Sequence, residues 1–311
     1  MIKLTELILE ATSRPKVIVM AGGAGAGKTY LLNQLSLSSL PQVNPDKYVE
    51  DPDHPAYNNL SQGARLADKE AAELADSKTS FVWDTTASNP KKVKELIDKG
   101  YDVFMVMVYT HPMISYISNF TRDSERNVPG SAVFSTWRNV YQLIADYDKI
   151  TDGNLAIHVS DRGGKYTKEI EAFNTAAKNG PSGIKDYLQR YNEANNIGGS
   201  TFRKPIELST QEEEEFKKHI GSLDYDKDSY GEDRALKKAF KDAYDKNGVG
   251  PGLDKMKDVL KKYRDRKAKQ EERETEVLDN IADMLFNPTF QDKLQHSSPA
   301  EIDSKVQAFL S

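Results

Sequence analysis

Residues 16–29 read KVIVMAGGAGAGKT, and this stretch decides the fold. The run Lys16–Ala21 is apolar and has the length of a buried strand. The segment Gly22–Thr29 matches G-x-x-x-x-G-K-[ST], and a helical pattern covers Lys28–Leu35. In such a strand–loop–helix unit, small residues let backbone N–H groups point at phosphate oxygens, and the helix N-terminus adds its positive dipole. The sequence therefore predicts a loop that binds a nucleoside triphosphate.

Each part of this loop has an expected chemical role. We expect the Lys28 amine to reach the β- and γ-phosphates and the Thr29 hydroxyl to bind Mg²⁺. The loop therefore predicts a nucleoside triphosphate bound together with Mg²⁺. The residues expected to contact the nucleotide are Gly22, Gly23, Ala24, Gly25, Ala26, Gly27, Lys28, Thr29 and Tyr30.

Strands and helices alternate through the rest of the N-terminal half. Further strands are predicted at Ser80–Thr85, Asp102–Thr110 and Asn154–Ser160. Helices are predicted at Lys91–Lys99, Ser131–Tyr147 and Lys165–Lys178. Alternation of this kind is typical of parallel strands joined by helical crossovers. The predicted fold class is α/β, a three-layer sandwich with a doubly wound parallel sheet.

The composition changes after the polar, glycine-rich segment Asn195–Lys204. Charged side chains become denser, and helical patterns replace strand-like runs, at Gln211–Ile220, Asp233–Lys246, Leu253–Lys269 and Glu272–Leu285. The predicted domains are residues 1–195, which hold the sheet, and residues 196–311, a charged α-helical accessory region. That region could select a substrate or bind a protein partner, or it could serve only solubility.

Composition excludes several classes of protein. The net charge of −5 and the pI near 5.7 argue against a protein that coats nucleic acid. The absence of cysteine excludes disulfides and thiolate chemistry. The longest apolar run, Val103–Tyr109, is far shorter than a membrane span, and MIKLTELILE does not resemble a signal peptide. We expect a cytoplasmic protein without a membrane partner.

Other motifs narrow the use of the triphosphate. Switch GTPases carry N-K-x-D, which the sequence lacks, and ATPase motors usually carry an acidic pair after an apolar strand. The corresponding segment Phe81–Thr85 has a single acid, Asp84. A kinase that acts on a small molecule or a polymer remains.

Two aspartates are candidates for the reaction itself. Asp46, within Asn44–Tyr48, could face the γ-phosphate as a general base, or it could be a turn residue beside Pro45. Asp84 and Thr85 end a predicted strand at the edge where open α/β sheets bind ligands. Asp84 could hold Mg²⁺ through water or bind a substrate hydroxyl, or it could cap the next turn.

Arg122 and Arg126 are spaced four apart, so one helical turn would place both on one face. Closing over the nucleotide, they could neutralise the transferring phosphoryl group. Alternatively they form a solvated pair neutralised by Asp123 and Glu125.

At these residues the chain resembles the zeta-toxin and polynucleotide 5′-kinase branch of P-loop kinases. The resemblance covers about residues 16–165. The features that carry it are the glycine loop, Asn44-x-Asp46, Asp84-Thr85, Asn89-Pro90, Lys99–Val103, Pro112, Ser115-Tyr116, the Arg122 and Arg126 spacing and Val128-Pro129. It implies a P-loop kinase-type sandwich and ATP- and Mg²⁺-dependent transfer to a hydroxyl. It also implies Asp46 as the base, Lys28 and Thr29 as phosphate and metal ligands, and both arginines as the lid.

The acceptor implied by this resemblance is a nucleotide, a nucleotide sugar or a nucleic-acid end. Val49 stands where polynucleotide kinases carry a basic residue, and the lid before Val128 is shorter, which disfavours a nucleic-acid end. Asp84 takes the place of the zeta-type acidic residue, which leaves a nucleotide sugar open. A nucleotide-binding structural or interaction protein with a lapsed kinase site is the alternative function, suggested by the large charged C-terminal part.

Overall fold

The computed structural model describes residues 14–57, 59–121, 128, 130–197, 205–206, 225–226 and 249–311. Their contacts group the chain into two compact units. One unit falls within residues 1–128, 132–172 and 283–311, and the other within residues 129–131 and 173–282.

The first unit is built on a five-stranded parallel sheet. Its strands are β1 Lys16–Ala21, β2 Gln42–Val43, β3 Phe81–Asp84, β4 Asp102–Tyr109 and β5 Leu155–Val159. The strand order is β2-β3-β1-β4-β5, and every neighbouring pair is parallel. β1 lies between β3 and β4, so the crossovers diverge at its carboxyl end and leave a crevice there. The predicted α/β class and the four predicted strands are confirmed.

The described helices are α1 Lys28–Leu32, α2 Asp46–Val49, α3 Leu60–Asp76, α4 Pro90–Asp98, α5 Pro112–Phe120, α6 Gly130–Tyr141, α7 Ile144–Ile150, α8 Thr167–Ala177, α9 Gly180–Ala194, α10 Val249–Phe286, α11 Pro288–Asp292 and α12 Pro299–Leu310. Helix α4 begins at the cap that the sequence predicts, because the Asn89 side chain accepts a hydrogen bond from the backbone N–H of Lys91 and Pro90 occupies the first turn. The helix predicted over Ser131–Tyr147 is interrupted by a turn at 142–143, between α6 and α7.

The second unit contains helix α9, most of α10 and a two-residue antiparallel pair, β6 Pro205–Ile206 with β7 Tyr225–Asp226. The helices predicted at Leu253–Lys269 and Glu272–Leu285 form the single helix α10, because no helix-breaking residue separates them. Those predicted at Gln211–Ile220 and Asp233–Lys246 lie outside the described residues. No described helix has the length and apolar content needed to cross a lipid bilayer.

The hydrophobic core of the first unit includes the C-terminal helix. Ile302 and Val306 of α12 are fully buried in one cluster with Ile18 of β1 and Val106 of β4. Two buried residues at i and i+4 give one helix a narrow apolar face that composition does not reveal. The contacts therefore group residues 283–311 with the sheet, whereas the sequence places them in the accessory region. The boundary at 195–196 stays a prediction.

Candidate active site

Two positions of the glycine loop have a backbone conformation that disfavours side chains, and one of them also lies very close to neighbouring backbone. Gly25 and Gly27 have φ values of 73° and 98°, which favour glycine. A Cβ on Gly25 would lie 2.6 Å from the Ser115 carbonyl oxygen of α5. The loop therefore needs glycine at both points to expose its backbone N–H groups at the start of α1.

Helix α6 supports the first turn of this loop. The Tyr141 hydroxyl accepts from the Gly23 N–H at 3.3 Å and donates to the Val108 carbonyl oxygen at 2.6 Å. Burial raises the pKa of Tyr141, so the hydroxyl keeps the proton that it donates. The loop is thereby tied to the end of β4.

Lys28, Asn44, Asp46 and Asp84 form a polar cluster at the carboxyl edge of the sheet. The Lys28 ammonium group lies 3.2 Å from the Gly22 carbonyl oxygen and 3.9 Å from the Asp84 carboxylate. The Asn44 amide donates to Asp84 at 3.4 Å and accepts from the backbone N–H of Asp46 at 2.8 Å. Asn44 therefore connects the two acidic positions that the sequence singles out, and Asp84, only 6% exposed, sits directly beside the loop lysine.

This cluster opens into a cavity of about 1100 Å³, large enough for a nucleotide and a second substrate. Residues from the glycine loop, from the ends of β2, β3 and β5, and from the C-terminal segment line it. The predicted site residues among them are Ala24, Gly25, Ala26, Gly27, Lys28, Thr29, Tyr30, Asp46, Asp84 and Thr85. A smaller cavity of about 220 Å³ shares Asp84, Thr85 and Thr86 with it.

Two predicted contact residues, Gly22 and Gly23, do not line the cavity and instead form the base of the loop. Arg122 and Arg126 lie outside the described residues, and the lid that they would form stays a prediction. Val49 is buried, and its side chain packs so closely against Gly63 of α3 that a Cβ added there would collide with it. Because valine is apolar, this position offers no charged or polar group to a ligand.

Arg162 is a functional candidate that the sequence prediction lacks. It follows β5 and adopts φ of 56°, an uncommon conformation for a residue with a side chain. Its guanidinium group donates to the Gly25 carbonyl oxygen at 3.1 Å, and its Nε is buried without a hydrogen-bond partner in the described part of the chain. Backbone strain and an unsatisfied donor beside the glycine loop are features that cluster at functional sites. The glycine pair at 163–164 next to the arginine was the available sequence signal.

Two histidines line the same cavity beyond Arg162. The ring centroids of His158, in β5, and His296 lie 5.2 Å apart. Burial lowers the pKa of His158, with a further lowering by His296, so this imidazole favours its neutral form. The five histidines show no metal-ligand spacing in the sequence, and contact across the fold brings these two together.

The residues present fit a magnesium ion that arrives with a nucleotide. Mg²⁺ prefers oxygen ligands, keeps several waters and usually takes phosphate oxygens from the substrate. The Thr29 hydroxyl and the Asp84 carboxylate supply suitable protein oxygens at the cavity wall. Among the described residues, no group of three or more His, Asp or Glu side chains is placed to hold a metal alone.

Three solved structures are among those similar to this chain. A chain from the crystal structure of AvrRxo1-ORF1:-ORF2 with ATP is 16% identical in sequence to this protein, with a TM-score of 0.39. The alignment covers 50% of this chain and 57% of that one. A chain from the PezAT toxin–antitoxin system of Streptococcus pneumoniae is 21% identical, with a TM-score of 0.36 over 51% and 76%. A putative kinase from Chloroflexus aurantiacus is 15% identical, with a TM-score of 0.28 over 34% and 64%.

No curated protein matches the chain. The model of one family, described as Zeta toxin, matches residues 3–165, just over half of the sequence. This match includes the glycine loop, Asp46, Asp84 and Arg162. The zeta-toxin side of the resemblance is thus confirmed, and the chain belongs to the Zeta toxin family.

Proposed function

We propose that the protein is an ATP-dependent phosphotransferase that moves the γ-phosphate to a hydroxyl group. The observation that supports this most strongly is the pair of acidic residues joined by Asn44 beside the loop lysine. The Asp84 carboxylate lies 3.9 Å from the Lys28 ammonium group and accepts a hydrogen bond from Asn44. The backbone N–H of Asp46 donates to the same Asn44, and Asp46 lines the same cavity. A protein that only bound a nucleotide would not need a second carboxylate there.

In the proposed reaction Asp46 is the general base. Its carboxylate takes the proton of the acceptor hydroxyl as the hydroxyl oxygen bonds to the γ-phosphorus. The bond from that phosphorus to the β,γ-bridging oxygen breaks, and ADP leaves with the electron pair. The Lys28 ammonium group balances charge on the β- and γ-phosphates, so the chain contributes mainly positioning and electrostatics. Arg122 and Arg126 are proposed to complete this neutralisation.

Thr29 and Asp84 are the residues that would hold Mg²⁺, Thr29 through its hydroxyl and Asp84 through water. When bound, the ion would neutralise charge on the β- and γ-phosphates. Asp84 is already oriented by Asn44, so it needs little reordering to accept the ion.

The acceptor would enter from the side of the smaller cavity. This cavity is lined by hydroxyl and amide groups of Thr85, Thr86, Ser88 and Asn89, and by Trp83. Among the described residues that line it, the one lysine, Lys92, is already paired with Asp68 at 2.6 Å. Such a surface suits the hydroxyl groups of a nucleotide or nucleotide sugar. It suits a polyanionic nucleic-acid end less well, and buried Val49 adds no positive charge.

The proposal is tested by phosphate transfer from γ-labelled ATP to a panel of nucleotides, UDP-sugars, oligonucleotides and proteins. We expect label in a hydroxyl-bearing small molecule with the wild-type protein and none with Lys28→Ala. Lys69→Ala is the matched control, because Lys69 is an exposed lysine of α3 outside the cavity. Nucleotide binding without label in any acceptor would favour the interaction protein with a lapsed site.

A further inference from the structure

The C-terminal segment reaches into the cavity at the end away from Asp46. His296 and Pro299 line this end together with Tyr30, Arg162 and His158. Tyr30 directly follows Thr29 in α1, and Arg162 lies over the glycine loop. A triphosphate bound to that loop with its γ-phosphate towards Asp46 would extend its nucleoside in this direction. His296 and Pro299 lie far beyond residue 165, where the family match ends.

Backbone hydrogen bonds hold this segment against β5. The Ser297 N–H donates to the Ile157 carbonyl oxygen at 2.7 Å, and His296 forms a bridge with Ile157. Farther along, the Asp303 carboxylate accepts from the Ser36 N–H at 2.8 Å, just after α1. The segment is therefore anchored both at the strand beneath the cavity and next to the helix that follows the glycine loop.

These contacts determine which ring nitrogen of each histidine carries a proton. The Val159 N–H donates to His296 Nδ1 at 3.0 Å, so this nitrogen is an acceptor and the proton lies on Nε2. His158 Nδ1 lies 3.2 Å from the Ser297 carbonyl oxygen, which can only accept, so His158 carries its proton on Nδ1. His296 thus offers an Nε2–H donor and His158 an Nε2 acceptor. Neither Nε2 has a hydrogen bond within the described part of the chain.

We infer that His158 and His296 recognise the base of the nucleotide and select adenine over guanine. This inference rests on the proposed function, because it needs a nucleoside triphosphate on the glycine loop. One donor beside one acceptor matches adenine, whose N7 accepts and whose N6 amino group donates. Guanine presents two acceptors, N7 and O6, on that edge, so O6 would face the acceptor Nε2 of His158. An acceptor that a bound base covers with another acceptor loses its hydrogen bond to water without a replacement, which lowers affinity.

The test separates anchoring of the segment from recognition of the base. In His296→Asn the side-chain oxygen can still accept from the Val159 N–H, while the Nε2–H donor is lost. The matched control is His54→Asn, because His54 Nδ1 also accepts a backbone N–H, that of Ala56 at 3.0 Å, and His54 does not line the cavity. Dissociation constants of ATP, GTP, ITP and inorganic tripolyphosphate are measured for the full chain, together with the unfolding midpoint.

We expect the wild-type protein and His54→Asn to bind ATP about tenfold more tightly than GTP and ITP, the scale of one well-placed base contact. In His296→Asn the affinities for ATP, GTP and ITP should each fall by about tenfold, because the lost Nε2–H donor pairs with N7 in all three bases, while their ratio, the tripolyphosphate affinity and the unfolding midpoint stay unchanged. Equal binding of ATP and GTP by the wild-type protein, or an unchanged ATP affinity in His296→Asn, would overturn the inference while leaving the proposed function intact. Failure of both ATP and tripolyphosphate to bind would overturn both.

Discussion

Replacing Ile302 with alanine should destabilise the whole first unit. Ile302 lies in the C-terminal helix α12, yet it is fully buried in one cluster with Ile18, Phe104 and Val106 of the central strands. The change removes three carbon atoms, worth about 0.8 kcal/mol each on transfer from water. The cavity left between the helix and the sheet adds to this loss, so we expect a decrease of about 3 kcal/mol in the free energy of unfolding.

Urea unfolding followed by circular dichroism measures this loss by linear extrapolation. Ser304→Ala is the matched control, because Ser304 is exposed on the same helix, and its unfolding free energy should change by less than about 0.5 kcal/mol. A change as small as this in Ile302→Ala would show that α12 does not pack on the sheet. The C-terminal segment would then be separable from the unit that holds the glycine loop.

Three further changes test single contacts. Gly25→Ala should weaken ATP binding at least about tenfold in titration calorimetry, because the new Cβ would meet the Ser115 carbonyl oxygen and position 25 has a φ of 73°. Unchanged affinity would show that the loop tolerates a side chain at this position. Asp303→Ala should lower the unfolding free energy by about 1 kcal/mol in urea, because it leaves the Ser36 N–H without its acceptor, and no loss would show that this anchor is unimportant. Since burial lowers the pKa of His158, the unfolded chain binds a proton more readily than the folded protein, and stability should fall as pH drops through about 6.5. Urea midpoints measured from pH 5 to 7.5 should therefore depend less on pH in His158→Gln than in the wild-type protein. An identical pH dependence would refute the lowered pKa of His158.

The parts of the fold that the sequence predicts are those with a strong local signal. β1 and β4 are continuous apolar runs because helices cover both faces of the sheet, and Asn89-Pro90 marks the start of α4. Helix α3 lacks such a signal, because its buried residues are small alanines such as Ala71 and Ala75 in a polar segment. β2 has only two residues, too few for a periodic pattern.

The residues of the candidate site also divide into those that the sequence predicts and those that it does not. Lys28, Asp46 and Asp84 belong to short motifs whose chemistry is readable, and the fold brings all three to one cavity. Arg162 and His296 are brought there by contacts with residues 137 positions away, to Gly25 and Val159 respectively. No local spacing encodes contacts of that kind. The packing of α12 on the sheet is likewise a long-range effect within a charged, helix-rich part of the chain.

Binding and transfer measured side by side on Asp46→Asn test the proposed phosphotransferase most directly. The substitution keeps the shape of the side chain and its backbone hydrogen bond to Asn44, and it removes the carboxylate proposed as the general base. With the acceptor found in the labelled-ATP panel, we expect the dissociation constant of ATP to stay within about twofold of the wild-type value. The single-turnover rate of transfer should fall by about 100-fold or more, as expected for loss of a general base. Transfer by Asp46→Asn at the wild-type rate would contradict the assignment of Asp46 and, with it, the proposed mechanism.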